Sequence, residues 1–189
     1  MSETSSEKTV FGFWVYIMTD CVLFATLFAT YAVLRDNTFG GPAGHDLFNL
    51  PFVLQETMLL LTSSFTCGLA MLAAHARNKN YVLGWLVVTF ILGAAFLGME
   101  LSEFRTLIAD GNGFQRSGFL SSYFTLVGTH GLHIAAGLLT ILVSLLFVHL
   151  RGLTKEVIRN LTCFSLFWHF LDIVWIFIFT IVYLMGASS

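Results

Sequence analysis

Hydrophobic positions in this chain fall into five long blocks, with most polar residues gathered between them. The blocks run from about Phe11 to Leu34, Phe52 to His75, Tyr81 to Ile108, Phe119 to Leu150 and Leu161 to Met185. Each reaches the roughly 20 residues that a helix needs to cross the hydrocarbon core of a bilayer. A membrane strand would alternate apolar and polar residues over about ten positions. These blocks do not alternate and are longer. The pattern predicts an all-α polytopic membrane protein with a short N-terminal tail, residues 1–10, and one five-helix transmembrane domain, residues 11–189. Helices longer than the bilayer is thick must tilt or project beyond it. Pro51 precedes the second block, a position that suits a helix start. The apolar run from Val10 is too long for a signal-peptide core, so it reads as a retained first helix.

Composition points the same way. Charged residues make up 11% of the chain and hydrophobic ones 57%, whereas soluble domains carry about 25% charged residues. The solvent implied is lipid. A net charge of −2 with no basic stripe excludes a phosphate-neutralising nucleic-acid surface. Cys21, Cys67 and Cys163 all lie inside apolar blocks and form no CxxC, which argues against a disulfide framework or a zinc site. The segment Arg35 to Leu50, with Gly40-Gly41-Pro42 and Gly44, reads as an external turn. It lacks the GK[ST] of a phosphate loop. No internal repeat of the kind that builds many transporters is visible.

Lysine and arginine set the orientation. Lys8, Arg77, Lys79, Arg151, Lys155 and Arg159 all fall on one side of a five-pass topology, against Arg35, Arg116 and Arg105 on the other. The N-terminus is expected in the cytoplasm and the C-terminus outside.

Ionisable groups inside a membrane helix are costly, so each needs a reason. Here they are Asp20, Glu56, Glu100, Glu103, His130, His133, His169 and Asp172. Residues three or four apart share a helix face. Glu100 and Glu103 therefore share one, as do His130 and His133, and His169, Asp172 and Trp168. At a rise of about 1.5 Å per residue, Asp20 lies roughly 14 Å into the first helix and Asp172 roughly 16 Å into the fifth. The counts suggest an inner set (Asp20, His169, Asp172) and an outer set (Glu56, Glu100, His130), with His133 in the outer half or near the middle.

The plainest reading is that these groups tie helices together by hydrogen bonds, which average about 0.6 kcal/mol in membranes. A haem or metal site would need ligands at one depth from facing helices, and no ExxH motif is present. A proton relay would use Asp20 and Asp172. Lipid or partner binding would use the small-residue pairs Ala25 and Ala29, Ser64 and Gly68, Ala94 and Gly98, and Gly131 and Ala135, which let backbones approach closely.

Four stretches carry a resemblance that covers about Phe11 to Gly186. The first, Gly12 to Phe24, resembles the helix of haem–copper oxidase subunit III that bears an intramembrane acid, with Asp20 where that family usually has Glu. Gly98 to Phe104 is similar to its paired-acid helix end, and Thr129 to His133 to its HGLH signature. Phe167 to Trp175 is similar to its WHFxDxxW signature. All four occur in the family's order and spacing. The chain lacks the two leading helices of the seven-helix members. Its Gly-Gly-Pro-Ala-Gly loop and the run Leu50 to Thr57 most resemble the five-helix bo-type ubiquinol oxidase branch.

The resemblance implies a bundle with a V-shaped, phospholipid-holding cleft. It implies a subunit with no catalytic, cofactor or metal residues of its own. Haem b, haem o (or a) and copper would belong to catalytic subunit I, with subunits II and IV also in a complex that uses ubiquinol at the bacterial inner membrane. Asp20, Glu56, Glu100, Glu103, His130, His133, Trp168, His169 and Asp172 would be structural or lipid-facing polar residues. The alternatives are a component of a cytochrome c oxidase or nitric oxide reductase complex, a self-standing haem enzyme and a stand-alone small transporter.

Overall fold

The computed structural model describes residues 2–35, 37–38 and 50–188. Five helices are long and apolar enough to cross a membrane, and the described residues contain no strand. They are α1 (Ser2–Leu34), α2 (Leu50–His75), α3 (Lys79–Ala109), α4 (Gly118–Arg151) and α5 (Lys155–Ile178). A π-helical stretch, Phe179–Leu184, and a last short helix, α6 (Met185–Ser188), continue α5. Helices are the natural solution here, because a backbone in hydrocarbon must satisfy its own N–H and C=O groups. The chain is a multi-pass membrane protein. The Gly40-Gly41-Pro42 turn lies outside the described residues.

The helices run further than the apolar blocks, because lipid selects only the part that lies within it. Residues 2–10 continue α1 as helix instead of forming a separate tail. The fifth helix starts at Lys155, not Leu161: Thr154 Oγ1 accepts the Val157 N–H at 3.3 Å and caps a polar first turn. Ser117 caps α4 in the same way through Leu120 N–H. Gly152, at φ 69°, ends α4 in a backbone conformation that suits glycine.

Helices α2, α3, α4 and α5 close a ring in which each packs on the next and α5 returns to α2. Helix α1 stands outside this ring, against α4 and α5. Half of the α5 span is buried against 22% of the α1 span, so α5 is the inner helix and α1 the peripheral one. Only a narrow stripe of α1 is covered: Ile17, Asp20, Phe24 and Tyr31. At one end of the bundle Arg77 Nη1 donates to Leu153 O and Lys79 Nζ to His149 O, both at 2.9 Å. The α2–α3 and α4–α5 turns are thereby joined. At the other end Phe119 N–H donates to Asn37 O at 3.3 Å, which seats the start of α4 beside the end of α1.

Trp168 of α5 is the side chain on which the ring closes. Its indole is fully buried in a slot between Gly93 of α3 and Gly137 of α4. A Cβ at Gly93 would lie 2.9 Å from the ring, and one at Gly137 2.6 Å. Its Nε1–H donates to Ser63 Oγ of α2 at 3.1 Å. One residue thus touches all three other ring helices. The slot requires glycine at both positions for space, not for backbone freedom.

This slot predicts a contrast between two substitutions. Gly137→Ala overpacks the indole and should cost about 1–3 kcal/mol, read as a lower melting temperature of the purified protein in detergent. Gly68→Ala, whose Cβ meets nothing within 4 Å, should leave that temperature unchanged or slightly raised.

Candidate functional site

Polar residues are buried in the interior, while many apolar side chains, such as Phe11, Met18, Val33 and Leu132, face outward. Lipid is a good solvent for the outer face, so what distinguishes the inside is polarity. The interior groups form three clusters.

The first joins α1 to α4. His133 Nε2 lies 3.7 Å from Asp20 Oδ2. Its Nδ1 lies 2.8 Å from Thr129 O. A carbonyl only accepts, so Nδ1 carries a proton, and Nε2 is the atom left to face the carboxyl. Phe24 packs its ring 5.3 Å from the imidazole.

The second is the seam between α2 and α5, which run antiparallel. Trp168 binds Ser63, His169 Nδ1 lies 2.6 Å from Ser64 Oγ, and Trp175 Nε1–H donates to Thr57 Oγ1 at 3.0 Å. Asp172 Oδ2 sits 3.7 Å from His169 Nδ1, an ion-pair separation beyond hydrogen-bond reach. Thr66 Oγ1 and Thr89 Oγ1, 2.9 Å apart, extend the seam to α3.

The third cluster continues from the Thr57–Trp175 end of that seam, where the Tyr183 ring lies 6.1 Å from that of Trp175. It joins Glu56 of α2 and Glu100 and Glu103 of α3 to Tyr123 of α4 and Tyr183 of the π-helical stretch. Tyr183 O–H donates to Glu103 Oε2 at 2.9 Å. The two tyrosine hydroxyls are 2.9 Å apart, so Tyr123 supplies the proton between them. The Glu100 carboxyl presses on Gly131 of α4, where no side chain would fit.

The two histidines of the HGLH stretch diverge. His133 faces α1, whereas His130 Nε2 donates to Leu171 O at 3.3 Å, with its ring beside Phe96 and Trp175. The inner set separates too: Asp20 pairs with His133 across α1–α4, while His169 and Asp172 belong to the α2–α5 seam. Glu56 and Glu100 lie near enough to interact electrostatically, and Glu103 with both. Among the described residues no group of three or more His, Cys, Asp or Glu side chains is arranged to hold a metal ion.

Sequence reasoning missed Thr57, Ser63, Tyr123 and Tyr183, and took Ser64 only as a small residue for close packing. The seven-residue spacing of Trp168 and Trp175 against hydroxyls on α2 was the available signal. Of the small residues named, Gly131 is approached closely by Glu100, whereas Ala25 and Ala29 are exposed and Gly68 and Gly98 meet nothing within 4 Å in this chain. A groove of about 590 Å³ runs between α1, α4 and α5, lined by Phe13, Tyr16, Val143, Phe164 and Phe167, with Thr9 and Asn160 among its polar residues.

Known proteins are similar to this chain along nearly its whole length. The family described as cytochrome c oxidase subunit III matches residues 3–187. Cytochrome bo(3) ubiquinol oxidase subunit 3 of Pseudomonas aeruginosa is 63% identical over 97% of this chain and 88% of that one. The protein of the same name from Buchnera aphidicola subsp. Baizongia pistaciae is 48% identical over 95% of this chain and 93% of its own. Cytochrome c oxidase subunit 3 of Bacillus sp. (strain PS3) is also 48% identical, over 93% and 84%.

The α2–α5 seam can be tested at one hydroxyl. Thr57→Val strands the buried Trp175 N–H and should cost about 1–3 kcal/mol in unfolding free energy. Thr57→Ser keeps the acceptor and should retain most of the stability. Thermal melts of both variants in detergent measure the difference.

Proposed function

Since the chain belongs to the cytochrome c oxidase subunit III family, we propose that it is the non-catalytic third subunit of a haem–copper terminal quinol oxidase. Such a complex oxidises quinol and reduces oxygen to water in aerobic respiration. The observation that carries this reading is the 63% identity to a ubiquinol oxidase subunit over nearly the whole chain. In this reading haem b, haem o (or a) and copper sit in subunit I, and this chain braces that subunit alongside subunits II and IV.

The protein lies in the bacterial inner membrane with its N-terminus in the cytoplasm and its C-terminus in the periplasm. The lysine and arginine asymmetry supports that orientation, as does the joining of the Arg77–Lys79 turn to the Arg151–Arg159 turn at one end. The interior polar residues serve as cross-links between helices. The groove between α1, α4 and α5 accepts a phospholipid chain, supported by its apolar walls and by Lys8 and Arg159, one residue beyond Thr9 and Asn160 on their helices. A second reading, with cytochrome c as the electron donor, draws on the 48% identity to a cytochrome c oxidase subunit.

Purification of the tagged chain in mild detergent should bring down large hydrophobic partners with haem absorption bands. Both should disappear when the chain is stripped to a monomer. Quinol oxidation by the eluate selects the first reading and cytochrome c oxidation the second; a haem-free monomer rejects both. Asp172→Leu should reduce the yield of the assembled complex several-fold while leaving turnover per assembled complex within about twofold. Normal assembly with greatly reduced turnover would contradict the bracing role.

A further inference from the structure

The third cluster places carboxyl groups where neither water nor a cation reaches them. Glu56 is 0% exposed and Glu100 2% exposed. Both Glu56 oxygens and Glu100 Oε2 have no hydrogen-bond partner. The two groups and Glu103 come from adjacent helices and face one another closely enough to repel when charged. The titratable groups around them are Tyr123 and His130 on α4 and Tyr183 beyond α5. No lysine or arginine is paired with any of the three among the described residues. Because Glu56 is covered within this single chain, a neighbouring subunit cannot supply a counter-ion by contact.

Isolated carboxylates in such a place are strongly disfavoured even after relaxation. Like charges nearby add to that cost. Protonation removes both costs and needs no partner beyond the cluster itself. Glu103 differs, because it accepts the Tyr183 hydroxyl proton, while Tyr183 in turn accepts from Tyr123. A hydroxyl donor on the carboxyl, itself backed by a second hydroxyl, favours the anion. No metal-holding arrangement exists at the described residues, so the ligand that fits is the proton.

We propose that Glu56 and Glu100 form a buried proton-holding site in which both are neutral acids at neutral pH, while Glu103 is the anion of the cluster, held by the Tyr183 hydroxyl. The site is distinct from the Asp20–His133 pair, which lies on α1 and α4, and it depends on neither the electron donor nor the partner subunits.

Infrared difference spectroscopy decides it, on the protein purified from its membrane with whatever subunits it carries. Wild type minus Glu56→Gln and wild type minus Glu100→Gln should each lose a carboxylic-acid C=O band at neutral pH. Wild type minus Glu103→Gln should instead lose carboxylate bands. Glutamine copies the shape and neutrality of the acid, so Glu56→Gln and Glu100→Gln should accumulate at wild-type levels. A carboxylate band lost from either of those two variants overturns the proposal, as does their failure to accumulate. An acid band lost from Glu103→Gln overturns the assignment of the anion.

Discussion

The ring of four helices depends on the fit of one indole into a space that two glycines leave open. Trp168 reaches from α5 across the bundle, and the missing side chains at Gly93 and Gly137 let its ring lie against two backbones at once. Without a hydrophobic driving force between helices in lipid, close packing and interhelical hydrogen bonds carry association. The same side chain supplies both, because its N–H ends on Ser63. It also sets register, since fixing Trp168 opposite Ser63 fixes Trp175 opposite Thr57 two turns away.

The rest of the polar interior follows from that register. Each cluster is made of groups from different helices that become neighbours only once the ring has closed. In the α2–α5 seam hydroxyls and indoles satisfy one another, which contributes stiffness, while the Asp172 carboxyl stands beside them without a hydrogen-bond partner. The Asp20–His133 pair brings the peripheral helix to the ring through one polar contact and a few aromatic ones. Glu56 and Glu100, like Asp172, are packed in without enough donors to satisfy them.

The number and type of helices were legible because hydropathy over twenty residues integrates a large signal. The polar residues that matter were legible as a group too, since each ionisable side chain in an apolar block is conspicuous. Which of them meet was not. Spacing along one helix says that His130 and His133 share a face, yet a sixty-degree difference on that face is enough to send one to α1 and the other to α5. Hydroxyl partners were hidden because serine and threonine are common in membrane helices and satisfy themselves on their own carbonyls, as Thr62 and Thr180 do. The glycine slot was hidden because it concerns the shape of a side chain on another helix. Helix ends were legible only to the edge of the lipid, where Thr154 and Ser117 take over from hydropathy.

The peripheral position of α1 has a consequence in time. It leaves the ribosome well before the helices it packs against, α4 and α5. During synthesis it must therefore remain in the bilayer beside an unfinished protein, with Asp20 lacking the histidine that faces it in the folded chain. The early part of this protein's life thus includes an interval with a lone acid in lipid. That interval is closed only when His133 is translated and inserted, and its length is set by the rate of elongation and not by the rate of folding.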